Sequence, residues 1–520
     1  MLRHQLNPLS WADTFLRALI PSFIADAIFS DRRKTTRLHP TSYLDGLRGI
    51  ASVIVFFCHY TEDNYNSLTR SYGVADNDQH PETATTGWIQ LPFLRIIFSG
   101  RPMVHIFFVI SGFVLSYKPI KAIHARDFDK CYVTLSSSTF RRAFRLFGPC
   151  VASTFIIMCL QQMDLYPGRN PRASWAEQLL VWKRVVFTQI TWPWAWDKDM
   201  MPGYDIHLWT IPIEFAHSML LFMVILMLAR TKLRIRQMAV LGLMGYCLSC
   251  GKWAGFEFLA GLFLAEVHVL KSAREQQSKE WESVAQEEDE DDLDKYGHRE
   301  VRQGGGLVGL STLKTVFCIS LVILGLFVGG WPNHHADKTP GIRWFLAKTP
   351  MPFAKMDHLA PQKFWFGLCA IGTVWAVGEL PPLKRFFGGA LAQYCGRISY
   401  AIYICHGPVL GLFQAYVFGS PFVPAQGEPG TDDYKVAVEA HGIKGMTGMD
   451  NTTQKTTGWF LGLCVLGPIV VWTADVFMRA IDEPIVRIAR KMENVCLDRE
   501  AQPDQRPGGR RLEPGYSQAA

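Results

Sequence analysis

Charged and titratable side chains interrupt an otherwise apolar run, LDGLRGIASVIVFFCHY, at residues 44–60. Arg48 and His59 are eleven residues apart, which in an α-helix is three turns plus about 20°, or about 16 Å along the axis. Asp45 falls near the same line. A charged side chain costs about 2.5–3.5 kcal/mol at the centre of a membrane-spanning helix on insertion scales, so these groups need polar surroundings or a function. We predict that this helix turns a polar stripe toward the interior of a helix bundle.

Two later stretches also place titratable groups in apolar surroundings. In YDIHLWTIPIEFAHS, residues 204–218, His207 and Glu214 share a face if the segment is helical, and Glu214 needs a buried histidine or arginine partner. His217 is more typical of packing. In GRISYAIYICHGPVL, residues 396–410, His406 is seven residues from Ser399 and therefore on the same face. A lone helical histidine is more often structural than catalytic, so both interpretations of His406 stay open.

Arginines cluster at the start of another apolar run, in STFRRAFRLFGP at residues 138–149. Arg141 and Arg145 share a helix face there. Such a cluster can simply set membrane topology, or it can bind phosphate, because the planar guanidinium matches phosphate oxygens. The segment alone does not decide between them.

In the preceding run, residues 100–117, the small pair Ser111 and Gly112 favours close helix packing.

The composition indicates a membrane protein. The 520 residues are 49% hydrophobic and only 19% charged, against about 25% in soluble domains. We therefore expect an all-α, polytopic membrane bundle of about ten transmembrane helices, since about twenty apolar residues cross the hydrocarbon core. The predicted spans are 44–60, 103–119, 146–162, 213–229, 237–251, 253–270, 312–331, 364–380, 397–417 and 457–478.

Several functional classes are not favoured. A net charge of +7 is small for this length and gives no reason to expect nucleic acid as a partner. Most of the 12 cysteines lie in the apolar runs, where they act as small hydrophobes, and Cys247 and Cys250 have no second pair. We predict no metal. The sequence contains no nucleotide-binding glycine loop, GxSxG elbow or HExxH motif.

Basic clusters beside the spans predict the orientation. With ten spans, four such clusters fall on one side, which the positive-inside rule makes cytoplasmic, so both termini are expected in the cytoplasm. The sequon at Asn451 falls on the opposite side and predicts glycosylation there. We expect a cytoplasmic segment at 1–40 with an interfacial helix, a membrane domain at 41–490 and a disordered cytoplasmic tail at 491–520. An acidic insert at 271–303 is predicted to be a solvated cytoplasmic loop.

Taken in order, these stretches resemble the acyltransferase-3 family of multi-pass membrane proteins, particularly its fungal members. The similarity extends over about residues 40–490. The matching positions are Leu44–Gly49 with His59; Phe107, Phe108, Ser111, Gly112 and Phe113; Arg142, Arg145 and Pro149; His207, Trp209 and Glu214; Gly396 to Pro408; and Asp482-Glu483-Pro484. The acidic insert and the long outer loops depart from the family pattern.

The resemblance implies an O-acyltransferase that moves an acyl group, usually acetyl from acetyl-CoA, to a hydroxyl. We expect His59 to be the base, since the pKa of histidine suits proton transfer near neutrality. A carboxylate such as Glu214 or Glu62 would orient it, and Arg48 would bind CoA or stabilise the oxyanion. The predicted catalytic set is His59, Arg48, Asp45, Glu214 and His207. The predicted CoA-binding set is Arg142, Arg145 and Arg397.

The acceptor is expected to be a hydroxylated small molecule, such as a secondary metabolite, or a glycan. The competing hypothesis is a transporter or permease, because intramembrane charged residues also mark proton and substrate paths. The chain shows no internal repeat of the kind common in transporters. We predict an integral, multi-pass protein of the endoplasmic reticulum or plasma membrane.

Overall fold

The fold is an all-helical bundle, described by a computed structural model for residues 19–22, 24, 39–74, 86–293, 307–418, 442–449 and 451–497. No strand occurs within these ranges. The helices are α1 (Ser42–Asn64), α2 (Arg101–His124), α3 (Phe128–Gln162), α4 (Trp175–Val185), α5 (Thr210–Leu228), α6 (Leu233–Ser249), α7 (Trp253–Leu293), α8 (Leu307–Gly329), α9 (Ile342–Ala347), α10 (Ala360–Glu379), α11 (Pro381–Gly388), α12 (Ala390–Phe418), α13 (Gly442–Thr447), α14 (Thr452–Phe477) and α15 (Glu483–Cys496). A 3₁₀ turn, Ile206–Trp209, leads into α5, and a π turn, Met478–Asp482, joins α14 to α15.

Seven segments in these ranges are long and apolar enough to cross a membrane, and the bent pair of α10 and α11 adds an eighth. The predicted count of ten is therefore not confirmed. Helix α1 is not among these segments, and its charged residues Asp45, Arg48, Glu62 and Asp63 lower its hydropathy. Helix α6 has 17 residues, which is too short.

The acidic insert differs from the predicted loop. Helix α7 continues into it as far as Leu293, consistent with the helix-forming Glu, Gln and Lys residues of that stretch. Residues 294–306 lie outside the described ranges. Almost all of the predicted interfacial segment at 1–40 and the tail beyond 497 also lie outside them. At the membrane domain's end, α15 continues past the predicted boundary at 490.

Glycines set the closest helix contacts of the bundle. Helix α1 crosses α12 at Gly49 and Gly396, where an added Cβ on either residue would overlap the backbone of the other helix. Helix α2 meets α7 in the same way at Gly112 and Gly261. Small residues let membrane helices approach closely, so the packing role expected of Gly112 is confirmed. These two contacts hold the helices that carry Arg48, His59, His105 and His406 at fixed separations.

Candidate active site

Three histidines from separate segments meet at one end of α1. The ring centroids of His59 and His207 are 4.1 Å apart, and that of His406 lies 5.3 Å from His59 and 4.7 Å from His207. His207 reaches the cluster from the 3₁₀ turn before α5, and His406 from the middle of α12. The structure therefore joins His59 and His207, as the predicted catalytic set requires, and adds His406, which the sequence left open.

Each of these rings is oriented through its Nδ1 atom. Nδ1 of His59 lies 3.2 Å from Oε2 of Glu62, and Nδ1 of His207 lies 2.8 Å from Oδ1 of Asp205. Nδ1 of His406 is 3.1 Å from the carbonyl oxygen of Ile402. Carboxylates and carbonyls only accept, so Nδ1 carries the hydrogen, and in the neutral ring Nε2 presents a lone pair. His59 is thus held in the tautomer that a general base needs.

The carboxylate beside His59 is Glu62, not Glu214. Oε1 of Glu62 in turn accepts a hydrogen bond of 2.6 Å from Nδ2 of Asn333. This fixes the carboxylate as well as the imidazole. The sequence named Glu62 only as an alternative, although its spacing of three residues from His59 on one helix was a usable signal.

His59 and His207 line a cavity of about 240 Å³. Much of its wall is apolar or aromatic, including Trp209, Trp253 and Phe366. Charged groups also line it, among them Arg101, Lys363 and Asp199, and the pKa of Asp199 is raised because its carboxyl is partly buried. We call this space the histidine cavity.

A second cavity of about 220 Å³ contains the predicted arginines. Its wall includes Arg48, Arg142, Arg145 and Arg397, together with Glu214. We call it the arginine cavity. Arg48 lies here, about three helical turns from His59 along α1, so the structure favours contact with a donor over contact with an oxyanion at His59. Oδ1 of Asp45 lies 3.5 Å from Nη2 of Arg48 and orients the guanidinium.

The arginines differ in how far they are already paired. Nη2 of Arg142 lies 2.6 Å from Oε1 of Glu214, and Nε of Arg142 donates to Ser218. Nε of Arg48 donates to Ser399, and Nη2 of Arg397 donates to Ser22. Arg145 makes no hydrogen bond or ion pair with any described residue and is exposed within the structure. Arg145 is therefore the guanidinium most available to a bound anion.

The pairing of Glu214 with Arg142 predicts a structural contribution. The two side chains are 18% and 12% exposed, and removing one partner of a buried pair costs about 3–5 kcal/mol because the other charge is left uncompensated. We expect Glu214→Ala to lower the thermal stability of the purified protein, and Glu214→Ala with Arg142→Ala to recover part of the loss. Melting curves in detergent test this. Unchanged melting together with lost activity would instead assign Glu214 to the chemistry.

The two cavities share part of their walls. Val104, Thr210 and Tyr403 line both of them. The hydroxyl of Tyr403 lies 2.6 Å from that of Thr210 and donates to the carbonyl oxygen of His207. These three residues therefore lie between the arginine cavity and the histidine cavity. No sequence pattern pointed to Thr210 or Tyr403, because their importance comes from where the helices cross.

Two groups in this region could hold a metal ion. One is His59, His207 and His406, and the other is Cys58, His59 and Glu62; in each, one ligand atom per residue lies within 4.8 Å of the others. The absence of a metal from the reaction remains a prediction from the sequence.

Comparison with known proteins now identifies the family. The acyltransferase domain of the acyltransferase-3 family matches residues 41–478. The chain belongs to this family. The residues of both cavities lie within the match except Asp482, so the family covers the site as well as the fold.

Fungal acyltransferases are among its relatives. The O-acetyltransferase PaAT-1 of Phomopsis amygdali is 30% identical over 477 residues, which cover 84% of each chain. The acyltransferase clz18 of Cochliobolus lunatus is 25% identical over 508 residues, covering 88% of this chain and 95% of the relative. No solved structure matches the chain. These matches do not support the transporter hypothesis.

Proposed function

We propose that this acyltransferase moves an acetyl group from acetyl-CoA to a hydroxyl of a small-molecule acceptor. The observation that carries the proposal is the adjacency of two cavities with complementary chemistry. One offers several arginines, and the other offers an oriented histidine beside a partly aromatic wall. Val104, Thr210 and Tyr403 form the boundary at which their occupants would meet.

The arginine cavity suits the donor. CoA carries phosphates, and arginine binds phosphate through charge-assisted, bidentate hydrogen bonds. Arg145 supplies a guanidinium that makes no hydrogen bond or ion pair with a described residue, and Arg48 and Arg397 line the same cavity. The pantetheine arm of CoA is a long, narrow chain that can extend from there toward Tyr403 and bring the thioester to the histidine cavity.

His59 supplies the base. Nε2 of His59 takes the proton of the acceptor hydroxyl as its oxygen attacks the acetyl carbonyl, and the C–S bond of the thioester breaks. The proton then passes from His59 to the CoA thiolate, giving the acetyl ester and CoA with a free thiol. Glu62 holds the tautomer and stabilises the transient imidazolium. His207, fixed by Asp205 and with its ring centroid 4.1 Å from that of His59, would help to orient the same hydroxyl.

The shape of the histidine cavity favours a small acceptor over a glycan. Its volume of about 240 Å³ lies just below the range of about 300–1,000 Å³ typical of small-molecule sites. Its aromatic wall suits a largely apolar molecule, as expected of a secondary metabolite.

We also propose that the arginine cavity lies on the cytoplasmic side of an endoplasmic reticulum or plasma membrane. Both termini would then be in the cytoplasm, and Asn451 would lie on the opposite side and be glycosylated.

A direct assay tests the proposal. Purified protein is incubated with radiolabelled acetyl-CoA and extracts of a host strain that lacks the gene, and ester formation and CoA release are measured together. We expect both to require the acceptor extract and to continue in the presence of a metal chelator. Release of CoA without ester formation, or label crossing a vesicle membrane without transfer, would contradict acetyl transfer.

A further inference from the structure

A second titratable pair opens onto the histidine cavity. His105 of α2 lines this cavity, and its Nδ1 lies 2.5 Å from Oε1 of Glu257 on α7. Both residues are almost completely buried. The other carboxylate oxygen of Glu257 is buried and has no hydrogen-bond partner among the described residues.

The helix contact does not require this pair. The close approach of α2 and α7 comes from Gly112 and Gly261, a turn or more away on each helix. A buried ionisable pair of this kind is often no more stable than apolar residues of the same volume. A purely structural role therefore leaves the pair unexplained, and polar groups inside a membrane bundle usually mark a functional site.

The surroundings hold the pair in a fixed position. Gly367 of α10 leaves space for the carboxylate, because a Cβ there would lie 2.7 Å from Oε1 of Glu257. Trp253 and Phe366 flank the imidazole, with ring centroids 5.0 and 5.5 Å from it. Both aromatic residues also line the histidine cavity.

The pair leaves one nitrogen available to a ligand. One hydrogen is shared between Nδ1 of His105 and the carboxyl group of Glu257, and no described residue hydrogen-bonds to Nε2 of His105. A hydroxyl can pair with this nitrogen in either tautomer, because it both donates and accepts hydrogen bonds. His59 uses the same arrangement at the reacting hydroxyl.

We propose that His105, oriented by Glu257, binds a second hydroxyl of the acceptor within the histidine cavity. This rests on the proposed function and narrows its substrate class to compact, largely apolar molecules with at least two hydroxyls. His59 would receive the hydroxyl that becomes acetylated, while His105 would receive the one that fixes the orientation. His105 is thus a specificity-determining residue and takes no part in the transfer of the proton.

Skeleton-matched alcohols test the proposal. The probes are a bicyclic mono-ol and diols that add one hydroxyl at successive positions of the same skeleton, each assayed with acetyl-CoA and purified full-length protein. A site built to hydrogen-bond a hydroxyl discriminates strongly against an analogue without it. We expect the wild type to prefer one diol over the mono-ol by about 10- to 100-fold in kcat/KM. This is less than a natural substrate would give, because the diols are surrogate acceptors.

Substitutions identify the residue responsible. We expect His105→Leu to remove most of this preference by lowering kcat/KM for the diol far more than for the mono-ol. Glu257→Gln preserves the shape of the side chain and serves as the second variant if His105→Leu fails to fold. We expect Glu257→Gln to weaken the diol preference less than His105→Leu does. Glu275→Gln, an exposed carboxylate on the same helix outside both cavities, is the matched control and should keep the wild-type preference.

The outcomes separate the two proposals. A diol preference that survives His105→Leu, or equal losses on both alcohols, overturns the role of His105 and leaves acetyl transfer intact. If the wild-type protein acetylates the mono-ol as fast as it acetylates every diol, the role of His105 is likewise overturned and acetyl transfer is left intact. If the wild type acetylates none of these alcohols and no acceptor in the host extract, the proposed function itself fails.

Discussion

Replacing His59 by glutamine is expected to lower kcat for acetyl transfer by about 10²–10⁴-fold, the usual contribution of a positioned general base. The physical reason is the loss of the Nε2 lone pair that Glu62 holds toward the histidine cavity. Because His59 does not line the arginine cavity, the KM for acetyl-CoA should change little. Initial-rate kinetics with both substrates varied measure the two effects separately.

An exposed histidine provides the control for this variant. His358 lines neither cavity, and His358→Gln should retain wild-type kcat. Melting curves show whether His59→Gln is folded. A folded His59→Gln protein with kcat within threefold of wild type would remove His59 from the chemistry and direct attention to His207, which Asp205 orients in the same way.

Replacing Arg145 by alanine is expected to raise the KM for acetyl-CoA by about 10- to 100-fold, since a hydrogen bond to a charged group contributes about 1.5–3 kcal/mol. Arg145 is the residue to test because the other cavity arginines already donate hydrogen bonds, whereas Arg145 makes no hydrogen bond or ion pair with a described residue and has only the nearby charge of Asp482. With acetylpantetheine, which lacks the nucleotide and its phosphates, the same variant should differ little from wild type.

The neighbouring Arg141 is the matched control. Nε of Arg141 lies 3.1 Å from Oε2 of Glu493, and the side chain does not line the arginine cavity. Arg141→Ala should therefore leave the KM for acetyl-CoA near the wild-type value. If Arg145→Ala weakens the use of acetylpantetheine as much as that of acetyl-CoA, the guanidinium does not act on phosphate.

Much of the site follows from the chemical types of residues in apolar runs. An imidazole and a guanidinium on one helix face of α1 identify a polar stripe, and the burial of Glu214 requires a cationic partner, which the structure supplies as Arg142. The fungal acyltransferase-3 resemblance is confirmed by the family match. These inferences succeed because unpaired charge in a membrane is costly wherever it lies.

Other parts depend on distances between helices, which spacing along one chain does not contain. The meeting of His59, His207 and His406 requires three segments to converge, and the pairing of His105 with Glu257 requires α2 and α7 to touch. The predicted number of spans is not confirmed for a related reason. A helix buried among protein neighbours, such as α1, tolerates charges that lower its hydropathy. Apolarity alone therefore does not decide whether such a helix spans the membrane.

The most direct measurement is an experimental structure of the purified protein with CoA bound. The central claim is that donor and acceptor occupy separate cavities that meet at Tyr403. We expect the CoA phosphates to contact Arg145 and Arg397, and the sulfur to lie beside Thr210 and Tyr403 on the side facing His59. Nucleotide density within the histidine cavity, or a sulfur directed away from Tyr403, would contradict the account.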